Sequence, residues 1–359
     1  MKTRQEILEE SFLEISKYNR RTAAISVGVG KTLLGLTDME KELAKKPDAK
    51  FLVVIPKLSV KDTWLNEAIK HNKKYLIDYF EFVTYRSFIK STFDYDVIYF
   101  DEIHNLKFSH GTYLTHYKGK ILGLTGSPPR HPKSEKALML KAYAPIVYEY
   151  ITDEAVNDKI LNDYKIYVHS VALDNKNNIQ MKTKSGKTFM TSEQNIYNYW
   201  SKKIDEDPYN KQYRLLRMKV MQEFKSKELK AKQLLTTINN KCLLFCNTTK
   251  QADRLCDYVY HSKNKNNEEN LDKFKKGEIL TLASVEQLKE GINIPKLKAS
   301  IILHTFASEY VTKQKIGRLL RLPVNELAVV HILMYKDTVD ETWVKKALQD
   351  YNPEKIIYL

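Results

Sequence analysis

The sequence predicts an α/β protein made of two tandem lobes, each a parallel sheet covered by helices. Short, almost continuously apolar runs alternate with helical patterns, as strands buried on both faces do. The alternation occurs twice, broken near the middle by a polar, lysine-rich stretch. The chain has 359 residues, room for two domains, and 43% of them are hydrophobic, enough for two cores.

The first lobe is expected over residues 1–150. Its strands are read at 22–27, 51–55, 80–84, 97–100 and 121–124. Helices are read at 32–45, where Leu33, Leu34, Leu36, Met39 and Leu43 form an apolar stripe, and at 61–70. The second lobe is expected over 151–359. Its strands are read at 242–246, 279–283, 299–304 and 328–334, and its helices at 250–258, 267–275, 313–320 and, at the C-terminal end, 338–350. A β-hairpin and helical insertion is expected at about 164–240. There, 164–173 alternates like an exposed strand, 175–187 is polar with a turn at Ser185-Gly186, and 192–240 reads as long helices. Lys211, Arg214, Arg217, Lys225 and Lys232 form either a basic surface or a solvated helical face.

Net charge is +15, a balance that suits a polyanionic partner because Lys and Arg displace counterions from phosphates. Three cysteines, Cys242, Cys246 and Cys256, are too few and too odd in number for a disulfide scaffold, and they lack the partners of a zinc site. No run of about 18 apolar residues predicts a membrane span, and the N-terminus has no apolar signal core. The expectation is a soluble intracellular protein, cytoplasmic or nucleoid-associated, with no membrane partner.

Two motifs carry chemistry. An apolar strand, a glycine turn and a helix meet at Gly28-Val29-Gly30-Lys31-Thr32. Glycines let backbone amides approach phosphate oxygens, Lys31 reaches the β- and γ-phosphates, and the Thr32 hydroxyl suits Mg²⁺. The full phosphate-loop signature wants a further glycine five residues before Gly30, where Ile25 stands, so this is a short form. About seventy residues on, the apolar run Val97-Ile98-Tyr99-Phe100 ends in Asp101-Glu102-Ile103-His104. A carboxylate at a neighbouring strand end is what a metal requires, so Asp101 is the candidate holder of Mg²⁺ and Glu102 the group that polarises an attacking water.

These residues resemble the superfamily-two helicases and translocases of the DExH-box group, from Gln5 to about Lys346. Asp101 through His104 is similar to the family's DExH box, and Leu124-Thr125-Gly126-Ser127-Pro128 to its third motif. Gln314, Gly317, Arg318 and Arg321 match the sixth motif, Leu244 through Thr248 the fourth, and Ser284 through Pro295 the fifth. The family commonly carries Thr near Ser284 and Asp near Asn293, so the fifth motif departs from its pattern. Val53 through Lys57 with Trp64 and Glu67, together with Thr84-Tyr85 and Asp337 through Glu341, is closest to the Swi/Snf-like and RecG-like DNA motors. The Ile-His ending of the box counts against a DEAD-box RNA helicase.

The resemblance implies two RecA-like lobes with a nucleotide cleft between them, and ATP and Mg²⁺ as cofactors. It implies that Gln5, 25 residues before Gly30, reads adenine and that Gly28, Val29, Gly30, Lys31, Thr32, Gly291 and Asn293 bind nucleotide. Lys31, Glu102, Gln314, Arg318 and Arg321 become the catalytic set, with both arginines as fingers. Thr125 and Ser127 couple the nucleotide site to the strand-binding face. Lys57, Ser59, Thr84, Tyr85, Thr248 and Ser284 contact nucleic acid, with DNA favoured over RNA. The implied activity is an ATP-dependent nucleic-acid motor, helicase or duplex translocase. The alternative is an ATP-gated binding or remodelling subunit of a repair or nuclease complex. The chain starts almost at Gln5 and ends soon after the last helix, so a minimal motor is expected. The hairpin near 175–187 and the helices near 200–235 are its candidates for a strand wedge or for docking a protein partner that supplies specificity.

Overall fold

Buried apolar runs make the two sheets, and the residues between them make the helices that cover those sheets. The structure is a computed structural model that describes residues 1–183, 185–285, 294–305 and 309–359, the side chains of 309 and 310 excepted. Its first unit spans Met1–Asp163 and its second is built mainly from Tyr164 onward.

The first unit contains α1 (Arg4–Ile15), β1 (Arg20–Ile25), α2 (Lys31–Lys45), β2 (Phe51–Ile55), α3 (Lys61–Lys70), β3 (Phe80–Thr84) and α4 (Tyr85–Phe88). It continues with β4 (Val97–Asp101), α5 (Gly111–His116), β5 (Lys120–Thr125), α6 (Glu135–Tyr143), β6 (Ile146–Tyr150) and α7 (Thr152–Asn157). The strand order is β3-β2-β4-β5-β1-β6, and every neighbouring pair is parallel. β2 and β4 are buried at every position, which is why both read as unbroken apolar runs. Thr3 opens α1 with a reciprocal capping box to Glu6. A buried clamp ties β1 to α2: the Arg21 guanidinium donates to both Asp38 oxygens at 2.6 and 2.8 Å, and the Tyr99 hydroxyl adds a third bond to Asp38 at 2.9 Å.

The second unit contains β7 (Asp163–Val171), β8 (Ile179–Lys182), β9 (Thr188–Thr191), α8 (Glu193–Glu206), α9 (Lys211–Glu223), α10 (Ser226–Thr237), β10 (Cys242–Cys246) and α11 (Thr249–Leu255). β11 (Val259–Tyr260), α12 (Asn267–Lys276), β12 (Thr281–Val285), β13 (Ala299–Ile302), α13 (Glu309–Gly317), β14 (Leu327–Tyr335), α14 (Val339–Leu348) and β15 (Ile356–Tyr358) follow. The order of its main sheet is β11-β12-β10-β13-β14-β7-β15. β8 and β9 pair antiparallel as a separate hairpin, where the polar stretch with its Ser185-Gly186 turn predicts one.

One strand departs from expectation. Residues 164–173 read as an exposed strand of an insertion, yet β7 lies inside the main sheet between β14 and β15. Its alternation arises because Tyr164, Ile166 and Val168 are fully buried while Asp163 and Lys165 face out. A strand near a sheet margin with one dry face shows the same period of two as an isolated one. Behind it, α10 and α14 are joined by a fully buried ion pair between Lys227 and Asp340, and the Lys227 ammonium also sits 4.4 Å from the Tyr335 ring centroid. Of the basic residues in the helical stretch, Lys211, Arg214, Lys225 and Lys232 are exposed. Arg217 is half-buried, donating to Ser201 Oγ at 3.1 Å and lying over the Tyr197 ring.

Candidate nucleotide and nucleic-acid site

All strands of the first sheet run the same way, so their C-terminal ends share one edge. In open parallel sheets, ligands bind outside that edge. The order puts β1, β5 and β4 side by side, so the glycine turn after β1, Thr125 through Ser127 at the end of β5, and Asp101-Glu102 at the end of β4 become neighbours. β2 and β3 extend the same edge with Lys57, Ser59, Thr84 and Tyr85.

The turn after β1 needs its glycines. Gly28 has φ 92° and Gly30 φ 132°, backbone that L side chains rarely adopt. Buried Val29 pins the turn through its N–H to the Ser26 carbonyl. Gly30 opens α2 without any side-chain cap, and no acidic residue occupies the first turn. The amides of that turn and the positive end of the helix dipole therefore suit an anion. Leu8 of α1 packs where a Gly30 side chain would begin. Gln5, one turn earlier on α1, is exposed and donates to Glu9 Oε1 at 2.9 Å.

Lys31 Nζ lies 3.3 Å from Glu102 Oε1. Gly126 lies close beside this pair: a Cβ there would meet Lys31 Nζ at 2.5 Å and Val27 Cγ2 at 2.8 Å, so a larger residue would push the lysine aside. Glu102 itself takes left-handed backbone, φ 53° and ψ 56°, a strain of order 1–3 kcal/mol for a non-glycine residue and one that gathers at functional sites. Its other oxygen, Oε2, lies 3.5 Å from Thr125 Oγ1, 3.5 Å from the Gly126 N–H and 3.4 Å from His104 Nδ1. Burial pushes the Glu102 carboxyl up. Lys31, His104 and the Gly126 amide outweigh it, and the group ends below the ordinary carboxylate value, ionised at neutral pH. His104 Nδ1 shares a 2.9 Å hydrogen bond with Thr125 Oγ1, which also accepts the Ser127 N–H at 3.1 Å. The box and the third motif are thus one hydrogen-bonded unit.

Asp101 is buried, and the Trp64 indole N–H donates to its Oδ2 at 3.0 Å. The Tyr85 hydroxyl donates to its main-chain carbonyl at 2.9 Å. The hydroxyl of Thr32 and the carboxylate of Asp101 are hard oxygen donors of the kind Mg²⁺ prefers, beside a helix N-terminus suited to phosphate, so the residues present suit a nucleotide-bound Mg²⁺.

The expected nucleic-acid contacts divide by exposure. Lys57 is exposed, and Ser59 and Thr84 are half-buried. Tyr85 is buried, its ring in the core cluster with Leu52, Val54, Phe88 and Phe100 and its hydroxyl committed to Asp101. Its side chain is a strut, so only its main chain faces the sheet edge. In the second unit, Thr248 caps α11 by accepting the Gln251 N–H at 3.1 Å. Ser284 is buried on β12 opposite Phe245 of β10. Gln314 lies on α13, and Arg318 and Arg321 follow its end on the turns around buried Leu319 and Leu320. Gly291 and Asn293 lie outside the described residues.

Trp64, His104 and Thr125 each stand in a motif that carries the resemblance, but the sequence does not say that Trp64 pairs with Asp101 or His104 with Thr125.

Comparison with known proteins bears on the fold and on the second unit. Residues 225–323 match the helicase conserved C-terminal domain. The chain is 25% identical over 270 residues to the DNA 3'-5' translocase XPB2 of Sulfurisphaera tokodaii, an alignment that covers 68% of this chain and 60% of that protein. The chain thus spans less than two thirds of its curated relative. The Hef helicase domain of Pyrococcus furiosus superposes with a TM-score of 0.54 at 16% identity, over 95% of this chain and 97% of that one. The ATP-dependent Type ISP restriction-modification enzyme LlaBIII, solved bound to DNA, superposes with a TM-score of 0.60 at 15% identity, over 100% of this chain and 31% of that one. The two parallel α/β units match the tandem RecA-like lobes of these neighbours.

Proposed function

We propose that this chain, a superfamily-two helicase or translocase by its paired α/β units, its helicase C-terminal domain and its XPB-like relative, is an ATP-dependent motor acting on DNA. The observation that carries the reading is the convergence of Lys31, Thr125 and Gly126 on the Glu102 carboxylate, at 3.3 to 3.5 Å, beside the uncapped start of α2.

In this reading the amides of residues 28–32 and the Lys31 ammonium bind the β- and γ-phosphates, and Gln5 reads adenine. Thr32 and Asp101 hold Mg²⁺, which when bound offsets phosphate charge. Glu102, already ionised, orients the attacking water and accepts its proton. Gln314, Arg318 and Arg321 stabilise charge on the transferring phosphoryl group, a contribution of about 10³–10⁵ in rate for an arginine finger. Thr125 and Ser127 link that chemistry to the strand-contact loops. Lys57, Ser59, Thr84 and the main chain at Tyr85 touch phosphates, as does Thr248 of the second unit, while Ser284, buried on β12, supports that edge rather than touching the strand. Such contacts are sequence-independent and weaken with salt.

The test is ATPase rate against single-stranded DNA, duplex DNA, forked DNA and RNA, with Lys31→Ala and Arg318→Ala alongside. Stimulation by DNA is expected. Lys31→Ala should abolish turnover in a folded protein, and Arg318→Ala should keep ATP binding while losing rate. Normal turnover by Lys31→Ala refutes the phosphate loop, and a loss of binding alone in Arg318→Ala refutes the finger. Strand-displacement and triplex-displacement assays then separate unwinding from translocation, and the helicase from the remodelling subunit.

A further inference from the structure

Two loops of the first unit are expected to touch a nucleic-acid backbone: the one after β2, with Lys57 and Ser59, and the end of β3 at Thr84. Each is followed within a few residues by an aromatic side chain that turns inward and ends on the same residue, Asp101. From the first loop, the 3₁₀ turn Leu58–Val60 runs directly into α3, whose Trp64 donates its indole N–H to Asp101 Oδ2 at 3.0 Å. From the second, Tyr85 directly follows Thr84 and donates its hydroxyl to the Asp101 carbonyl at 2.9 Å. One bond orients the carboxylate and the other holds its peptide.

Neither strut has slack. Trp64 is fully buried and wedged against α2: a Cβ at Gly35 would meet its Cη2 at 2.8 Å and its Cζ3 at 3.2 Å. The indole has one donor and spends it on Asp101. Tyr85 packs at 5.9 Å from the Phe100 ring, and its own carbonyl lies 3.1 Å from His110 Nε2. In such a close-packed setting, a shift of either loop reaches Asp101 rather than dissipating.

We propose that Trp64 and Tyr85 are positioning residues that hold Asp101 for the nucleotide's metal, so that the two strand-contact loops set how tightly Mg²⁺ binds with nucleotide. The inference rests on the reading of Lys31, Thr32 and Asp101 given above. Partners that orient a metal-ligating carboxylate are worth roughly 10–100-fold in metal affinity. Coupling between two binding sites is reciprocal, so nucleic acid at the loops must change the Mg²⁺ requirement.

The experiment is equilibrium binding of a fluorescent ADP to the whole chain across a Mg²⁺ titration, for wild type, Trp64→Phe and Tyr85→Phe, with and without duplex DNA. Phe keeps each buried ring and deletes only the donor, and Tyr85→Phe removes a single hydroxyl, so it serves as the second variant should Trp64→Phe not fold. Expected are unchanged binding in EDTA, a Mg²⁺ midpoint raised about 10-fold or more in Trp64→Phe and raised less in Tyr85→Phe, and a DNA-induced midpoint shift in wild type that both variants lose. Folded variants with the wild-type midpoint overturn the inference while leaving the nucleotide site intact. Equal weakening in EDTA and in Mg²⁺ overturns it too, because that marks a packing role only. A wild-type chain that binds nucleotide without any Mg²⁺ dependence overturns the metal-holding roles of Thr32 and Asp101 along with the inference, and one that binds no nucleotide at all overturns the nucleotide reading beneath both.

Discussion

Lys315, on α13 between the two matched residues Gln314 and Arg318, is a buried lysine whose ammonium lies 5.2 Å from the centroid of the Phe245 ring. Burial lowers its pKa from 10.5 to about 8. A folded pKa below the unfolded one means that the unfolded chain binds the extra proton more tightly, so stability rises with pH between those values and the penalty is largest below the lower one. At about 1.36 kcal/mol per unit, the buried charge costs the second unit about 3 kcal/mol at pH 7, about 2 kcal/mol at pH 9 and under about 0.5 kcal/mol at pH 10.5. The attraction of the Phe245 ring for the ammonium makes these upper values. Lys315→Met keeps an unbranched apolar stem one atom shorter and removes the charge. Urea unfolding should therefore find the variant more stable than wild type at neutral pH, with the two curves converging towards pH 10.5. A stability difference that does not vary with pH, or a variant weaker at pH 7, refutes the reasoning.

Two further perturbations follow from the first unit. Asp38→Ala leaves the Arg21 guanidinium buried without its carboxylate and should cost about 3–5 kcal/mol by calorimetry, whereas Arg21→Met with Asp38→Leu should recover most of that, short of about 1–3 kcal/mol for the Tyr99 hydroxyl left unpaired. A double variant as unstable as the sum of the two single ones would contradict the clamp. Gly126→Ala forces Lys31 Nζ from a 2.5 Å approach, a displacement of about 1 Å that should lower turnover by about 10²-fold with little change in melting temperature. Unchanged ATP turnover in that variant would mean that Lys31 is not held by this approach.

The most legible elements were those whose signal is local. The bounds read for β2, β3 and β10 coincide with the structure, and for β2 and β10 the reason is a short apolar run flanked by polar residues. β12 lies at Thr281–Val285, two residues beyond the reading of 279–283, since Ile279 and Leu280 look like strand although Leu280 stands 51% exposed. β6 and β15 escape notice because they are short marginal strands with partly exposed residues. The site divides along the same line. Glycine turn, lysine and paired carboxylates form compact patterns that can be read directly. The Trp64–Asp101 bond spans 37 residues and the His104–Thr125 bond 21, and nothing local encodes either. They exist because parallel strands bring distant strand ends to one edge.

The placement of β7 has a consequence for biosynthesis. β1 of the first unit sits between β5 and β6, so that sheet can close once the ribosome has delivered Tyr150. β7 is translated next, yet one of its flanks is covered by β15, through Ile166 and Ile356, and Leu359 adds main-chain bonds to Val168 and Ser170. Synthesis proceeds at about 5–20 residues per second, and non-local pairing must wait for its partner. The nascent chain therefore carries a closed first sheet while β7 waits with both flanks open, because β14 begins only at Leu327 and β15 at Ile356, and this interval is when a chaperone would have most to protect.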